Sequence, residues 1–430
     1  MRRLFVAGLL MALIFGLWGG AVLSVKANPA APAQTLGQSK QFIKRLAAGG
    51  PGLTFVVNTT GDSVDTAPGN GLCADQAGDC SLRAAVMEAN ALLGQDVVTL
   101  PKGTYELTLP GSGEDASAAG DLDVLDSLVL IGSGPGGTEI LCSDTWTEYC
   151  IEASKNTSIH GVLISGRGIL TGVSELEMSN CEVRGGSLVV MYSEVAITGC
   201  RFYYGGGIES SGGQIVLQNV TVDANYMAPA GIHTIMGNLE IYNSTIANNM
   251  DISASTGFAG ISGGVSSLRI VNSTIGGNRG VLGSGISFDE SNLIILNSTI
   301  VDNEGLTSGL IVGAQSEARI SNTILEGCLT PFKGKVTSDG YNLVGSTAGC
   351  SITAATGDRF GLDPQIIPVL SDNGGPTLTY SLRATSPAID AGDPAGCKDL
   401  NGLALSYDQR LYPRNQDGKA GGRPPAILDR

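Results

Sequence analysis

Between residues 180 and 325 the chain repeats one short phrase, and that repetition constrains its folding more than any other feature. The phrase reads Asn219-Val-Thr-Val, Asn243-Ser-Thr-Ile, Asn272-Ser-Thr-Ile, Asn297-Ser-Thr-Ile and Asn322-Thr-Ile, with the asparagines 24, 29, 25 and 25 residues apart. A short apolar strand precedes each (215–217, 239–241, 268–270, 293–295, 318–320), and another opens with Gly207-Ile208, Gly231-Ile232, Gly260-Ile261, Gly285-Ile286 and Gly309-Leu310. Strands this short cannot bury an apolar face alone, so each copy must stack on the next. Stacking at the ~4.8 Å interstrand distance sets Ile over Ile inside and Asn over Asn at the turn. The expected fold is therefore all-β: a single-stranded right-handed parallel β-helix, a solenoid of about ten coils with at least three strand segments per coil.

Asn219, Asn243, Asn272, Asn297 and Asn322 then form a predicted structural ladder, because asparagine tolerates the left-handed backbone of a sharp turn and its amide can bond up and down the stack. Regular spacing favours this role over a glycosylation sequon. Fainter copies at 176–178 and 195–197 extend the register backwards, and earlier strands are predicted at 97–100, 105–109, 122–125, 128–131 and 158–164. An open coil exposes its core, so both ends need covers. Ser81 is a predicted N-cap for a helix carrying Leu82, Ala85, Val86, Ala89, Leu92 and Leu93 on one face, which serves as the N-terminal lid. Past residue 330 the repeat fades and Pro, Asp and Gly rise, which predicts an irregular C-terminal cap.

The predicted organisation is 1–27 signal peptide, 28–52 linker, 53–96 N-terminal cap, 97–330 coil and 331–430 C-terminal segment. Arg2 and Arg3 precede an uncharged run over 4–25, and Val25-Lys26-Ala27 supplies small residues for cleavage, although the run is also long enough for an uncleaved anchor. Either outcome places the body outside the cytoplasm, extracellular or on the cell surface, with membrane contact only through an uncleaved N-terminal segment. Nine cysteines in that compartment predict disulfides. Cys73 with Cys80 and Cys142 with Cys150 flank short loops. Cys181 and Cys200 each follow a turn residue by one and are predicted to bond across one coil. Cys328, Cys350 and Cys397 compete for one bond, with Cys328 to Cys350 taken first. A net charge of −15 excludes nucleic acid as a natural partner and leaves polysaccharide, cell-envelope components and cations.

The segments Phe55-Val-Val-Asn-Thr-Thr-Gly-Asp62, Gly71-Leu-Cys73, Cys80-Ser-Leu-Arg-Ala-Ala85, Glu88-Ala-Asn90, Leu100-Pro-Lys-Gly-Thr-Tyr105 and Gly120-Asp-Leu-Asp123 resemble, in order and spacing, the N-terminal module of bacterial β-helix surface proteins named for a CSLREA motif. Ala84 stands where that motif has Glu. Tyr341-Asn-Leu, Asp363-Pro364, Asp372-Asn-Gly-Gly-Pro-Thr377, Ser386-Pro-Ala-Ile-Asp-Ala-Gly392 and Asp408-Gln-Arg410 resemble the choice-of-anchor Q segment of surface-exposed β-helices. The resemblance implies a pectin-lyase-like fold and export. It implies no activity, since that fold carries enzymes and adhesins alike.

For a catalytic site, Glu209 and His233 should both face outward, one coil and about 5 Å apart, because Ile208 and Ile232 face inward. The next coils place Ser262 and Ser287 there. Asp121, Asp123 and Asp126 are candidate cation ligands, of which only Asp121 and Asp123 share a strand face; a solvated strand edge is the plainer reading, and no cofactor beyond a possible Ca2+ is implied. Tyr203, Tyr204 and Tyr226 are candidates for stacking on sugars. The Asn-Thr-Asp, Asp-Asp and Gly-His-Gly set of polygalacturonase-like sites is absent, as is the arginine motif of calcium-dependent lyases. The expected function is therefore non-catalytic adhesion, or glycan or envelope interaction, with a polysaccharide lyase or glycoside hydrolase as the alternative.

Overall fold

The computed structural model describes residues 51–414, apart from 144–146, 229, 252–256, 284 and 306–308. The expected signal segment and nearly all of the linker lie outside the described residues. Each coil contributes three short parallel strands to three sheets, and the result is a right-handed parallel β-helix. The first sheet runs through thirteen strands, from Pro51–Val56 and Gln95–Thr99 to Ile352–Thr353. The second begins at Gly103–Leu107 and ends at Arg359–Phe360. The third begins at Leu122–Val124 and ends where Ile324–Leu329, a strand shared with the second sheet, pairs with Leu310–Val312.

The register follows the repeat. Ile215, Leu239, Leu268, Leu293 and Ala318 stack inward on the first sheet, Ile246, Ile275 and Ile300 on the second, and Ile232, Ile261 and Ile286 on the third. Aligned apolar columns make one continuous core. Glycine opens the third-sheet strands because adjacent coils nearly touch there: a Cβ on Gly207 would meet the carbonyl oxygen of Gly231 at 2.0 Å.

Parallel pairing extends beyond the expected coil at both ends. Pro51–Val56 pairs with Gln95–Thr99, and Lys335–Ser338, Leu343–Ser346, Ile352–Thr353 and Arg359–Phe360 add rungs after residue 330. These outer rungs keep the inward apolar residues Val336 and Val344 but lose the Asn-Ser-Thr phrase, so the repeat stops being visible before the coil does. The predicted strand over 158–164 is two strands, Thr157–His160 in the first sheet and Leu163–Ser165 in the second, separated by a turn at Gly161.

The repeated asparagines all adopt positive φ, from 48° at Asn322 to 57° at Asn272, as expected for the turn. The amide ladder itself runs elsewhere. Only Asn272 donates to its neighbour in that column, to Asn243 Oδ1 at 2.7 Å. The hydrogen-bonded ladder is Asn225–Asn249–Asn278–Asn303, at the corner between the second and third sheets, with Nδ2 to Oδ1 distances of 2.9, 2.9 and 3.0 Å. In the phrase itself the serine bridges coils: Ser244 and Ser273 backbone N–H groups donate to Ser273 and Ser298 Oγ at 3.1 and 3.2 Å. Asn272, Asn297 and Asn322 are buried by the C-terminal segment, which closes the Asn-Ser-Thr acceptors at Asn272 and Asn297 to glycosylation in the folded chain.

Helix α1 (Leu82–Ala91), capped by Ser81 Oγ accepting from Ala84 N–H at 3.0 Å, packs against the first rungs as the lid. Arg83 is wholly buried, pairs with both oxygens of Asp62, and donates to the carbonyls of Ser117, Gly120 and Asp121. Ala84 is 0% exposed, so the position that carries Glu in the resembling motif is here a packed core site. Disulfides join Cys73 to Cys80, Cys142 to Cys150 and Cys328 to Cys350. Cys181 and Cys200 are not bonded to each other, contrary to the expectation from register. Both thiols are buried and free; the Cys181 N–H donates to Cys200 Sγ at 3.3 Å, and the Cys181 thiol donates to the carbonyls of Ile159 and Ser179.

Candidate functional site

One outward column of the third sheet carries most of the unusual chemistry. From the N-terminal end it runs Asp123, Glu152, then Leu170 and Val189, then Glu209, His233, Ser262 and Ser287, each in register with the next. Alternation along each strand sets these residues outward, because Leu122, Ile151, Ile208, Ile232 and Ile286 beside them turn into the core. The second outward column, with Met191, Ser211, Ile235 and Gly264, has no ionisable group until Asp289.

Glu209 and His233 are register partners, as their sequence positions imply. They form no ion pair. His233 Nδ1 shares a hydrogen bond with Ser262 Oγ at 2.9 Å, on the side away from Glu209, and the Glu209 carboxylate has no hydrogen bond among the described residues. Burial pushes Glu209 above the ordinary carboxylate value and His233 below the ordinary imidazole value, so both lean towards their neutral forms. Tyr149, which sequence reasoning did not single out, has its pKa raised by burial, then by Glu209, with Glu152 adding and Arg167 opposing. It therefore lies within electrostatic reach of both polar stretches of the column. It comes from the loop between Cys142 and Cys150, and the proximity of that disulfide loop to the third sheet was its one sequence signal.

At the N-terminal end, ligand atoms of Asp121, Asp123 and Glu152 all lie within 4.8 Å of one another. The expectation of a solvated edge for the two aspartates is corrected: Asp121 is 2% exposed and Asp123 3%. The loop over 110–120 is held against them by reciprocal bonds of Ser117 Oγ with the Asp123 backbone at 2.8 Å and by Arg83 donating to the carbonyls of Ser117 and Gly120, while Asn90 Nδ2 ties Asp123 O to the lid helix at 2.7 Å. Desolvation, with the Asp123, Glu148 and Glu152 charges, raises the Asp121 pKa to about 8; desolvation and Glu152 raise that of Asp123 to about 7. Asp126 stands apart and accepts from Gly94 N–H and Ser127 N–H.

The tyrosines are not gathered into a platform on this face. Tyr203 lies in the second-sheet strand Arg201–Tyr203, is buried under the Arg201 guanidinium at 4.5 Å, and donates to Glu182 Oε2 at 2.9 Å. Tyr204 meets it edge-on at 5.1 Å, and Tyr226 is exposed in a loop.

The family of right-handed β-helix regions matches residues 155–356. No curated protein matches the chain. Among solved structures, a pectate lyase has 14% identity and a TM-score of 0.43, covering 86% of this chain and 98% of its own. A rhamnogalacturonan lyase has 11% and 0.39, covering 83% and 96%. The A-module of a mannuronan C-5 epimerase from Azotobacter vinelandii has 15% and 0.39, covering 66% and 91%.

Proposed function

We propose that the protein is an exported β-helix of the CSLREA and choice-of-anchor Q kind, secreted or held at the cell surface, that binds a neutral polysaccharide or envelope component along the third sheet without turning it over. The observation that carries this reading is the run Glu209, His233, Ser262 and Ser287, polar groups repeated at every rung and biased towards neutrality. Uncharged donors and acceptors at a regular spacing suit a hydroxylated polymer lying along the stack. Hydrolysis suits the column less well, because a glycosidase needs two carboxyl groups within about 10 Å. The next carboxylate in the column, Glu152, is three rungs from Glu209, about 14 Å at the interstrand spacing. Three disulfides are compatible with export through the N-terminal segment.

The alternative, a polysaccharide-active enzyme, is favoured by one specific point. A carboxyl group shifted upward by burial beside an imidazole shifted downward is the direction of tuning an acid and base pair needs. A screen of the chain from Asn28 onward against plant, algal and bacterial polysaccharides, with and without calcium, separates the two. Binding without new reducing ends or unsaturated products, weakened about tenfold or more in Glu209→Ala and His233→Ala, supports recognition. Turnover abolished by those substitutions establishes the enzyme instead, and neither binding nor turnover on any polymer removes the glycan reading.

A further inference from the structure

Successive rungs present the same pair of side chains at the corner between the first and second sheets: the asparagine that opens each Asn-Ser-Thr phrase and the threonine that closes it. The C-terminal segment crosses this corner and meets two of the pairs directly. Thr245 Oγ1 donates to Leu378 O at 2.6 Å and accepts from Gln409 Nε2 at 2.9 Å. One rung on, Thr274 Oγ1 donates to Gln409 Oε1 at 2.8 Å, and Asn272 Oδ1 accepts from Arg414 Nη2. At the next rung the fit is incomplete. Asn297 Nδ2 donates to Lys398 O at 2.8 Å, but Asn297 Oδ1 and Thr299 Oγ1 are buried with no hydrogen-bond partner. The two residues are 6% and 1% exposed. Both line a cavity of about 10 Å3, which the segment borders with Thr379, Asp408, Gln409 and Arg410. Buried polar atoms are ordinarily bonded to protein or to ordered water, so two orphans beside one cavity point to an occupant.

Volume and chemistry limit that occupant. A cavity of about 10 Å3 holds one water-sized body and excludes a sugar ring or a hydrated ion. Asn297 Oδ1 can only accept, so the occupant must donate, which a simple anion cannot do. A bare cation would find two neutral oxygens beside a guanidinium, because the Asp408 carboxylate is already engaged by Arg410 and by the Tyr412 N–H. A small neutral molecule that both donates and accepts answers the two orphans together. We propose that this cavity is a binding site for one integral water molecule, which donates to Asn297 Oδ1, bonds Thr299 Oγ1 and seats the C-terminal segment on the coil. The polar wall that the segment supplies offers the third partner such a water ordinarily has. Thr299 belongs to the second sheet, so the site stands independently of glycan binding on the third.

The test is a crystal structure of the chain from Asn28 onward, at a resolution that shows ordered water, with limited proteolysis of Thr299→Val and Thr299→Ser in solution. Expected is one density peak within about 2.7–3.2 Å of both Asn297 Oδ1 and Thr299 Oγ1. Thr299→Val removes the hydroxyl at nearly constant volume, so residues 363–414 should be cut about fivefold faster or more, as the loss of one hydrogen bond implies. Thr299→Ser keeps the hydroxyl and should leave the cutting rate near that of the wild type. Empty density, a peak with the short distances and six or more oxygen ligands of a metal ion, or equal cutting of Thr299→Val and wild type would each overturn the proposal. The wild-type density decides the matter even if Thr299→Val fails to fold.

Discussion

Single residues at the lid hold more than their exposure suggests. Arg83 satisfies three carbonyls and both oxygens of Asp62, while Asp62 also accepts from the N–H groups of Thr108 and Leu109. Removing one partner of such a buried pair leaves the other charge uncompensated, so Arg83→Ala should destabilise the chain by about 3–5 kcal/mol in denaturant unfolding. An unchanged midpoint would show that the lid is not part of the cooperative unit. On the third sheet, pH dependence follows from the two shifted groups. Glu209 holds its proton in the folded state to a pH above its ordinary 4.5, so its contribution is full below that value and is lost as pH rises through the elevated one. His233 titrates below its ordinary 6.5, so its contribution is full above 6.5 and is lost as pH falls through the depressed one. Melts across about pH 4 to pH 9 should show Glu209→Gln flattening the alkaline side of the Tm profile and His233→Gln the acid side.

At the scale of elements, the two asparagine columns do different work although one residue type serves both. In the Asn-Ser-Thr phrase the backbone conformation is what matters, and Asn243→Gly should cost little, because glycine reaches φ near 50° without strain. In the buried column the amide is what matters. Asn278 accepts from the backbone and side-chain nitrogens of Asn249 and donates to Ile246 O and Asn303 Oδ1. Asn278→Ala leaves several of these unsatisfied in the core, at about 1–3 kcal/mol for each. The comparison of the two variants by chemical unfolding reads the difference directly; equal effects would contradict it. Asn225, Asn249, Asn278 and Asn303 recur at the same 24, 29 and 25 residue spacing as Asn219, Asn243, Asn272 and Asn297, so spacing does not tell the two columns apart; burial does, and burial is not visible in a sequence.

For the whole molecule, the last segment is a clasp along the side of the coil as well as a continuation of it. After Arg359–Phe360 the chain forms one antiparallel pair, Ile366–Ser371 with Thr379–Leu382, and returns over the corner between the first and second sheets. Gln409 Nε2 donates to Ser244 O, Thr245 Oγ1 and Thr377 Oγ1, its Oε1 accepts from Thr274 Oγ1, and Arg414 reaches Asn272. Gln409→Leu should therefore loosen residues 363–414 ahead of the coil, so that limited proteolysis cuts this segment earlier than in the wild type while the remaining strands stay protected. Simultaneous loss of coil and segment would show one cooperative block instead.

Coil period, inward columns, the positive-φ turns, the lid helix and the local disulfides were all decided by short-range pattern. Stacking repeats each constraint at a fixed sequence distance, so Ile246, Ile275 and Ile300 declare their register without any coordinates. The pairing of Glu209 with His233 was legible for the same reason. Contacts outside that period were not legible. The meeting of Asp121 and Asp123 with Glu152, the approach of Tyr149, the free thiols of Cys181 and Cys200 and the docking of Gln409 on Thr274 depend on how loops and side chains fall in space. Burial decided their chemistry: aspartates read as a solvated edge are buried at Asp121 and Asp123, which raises the pKa of both.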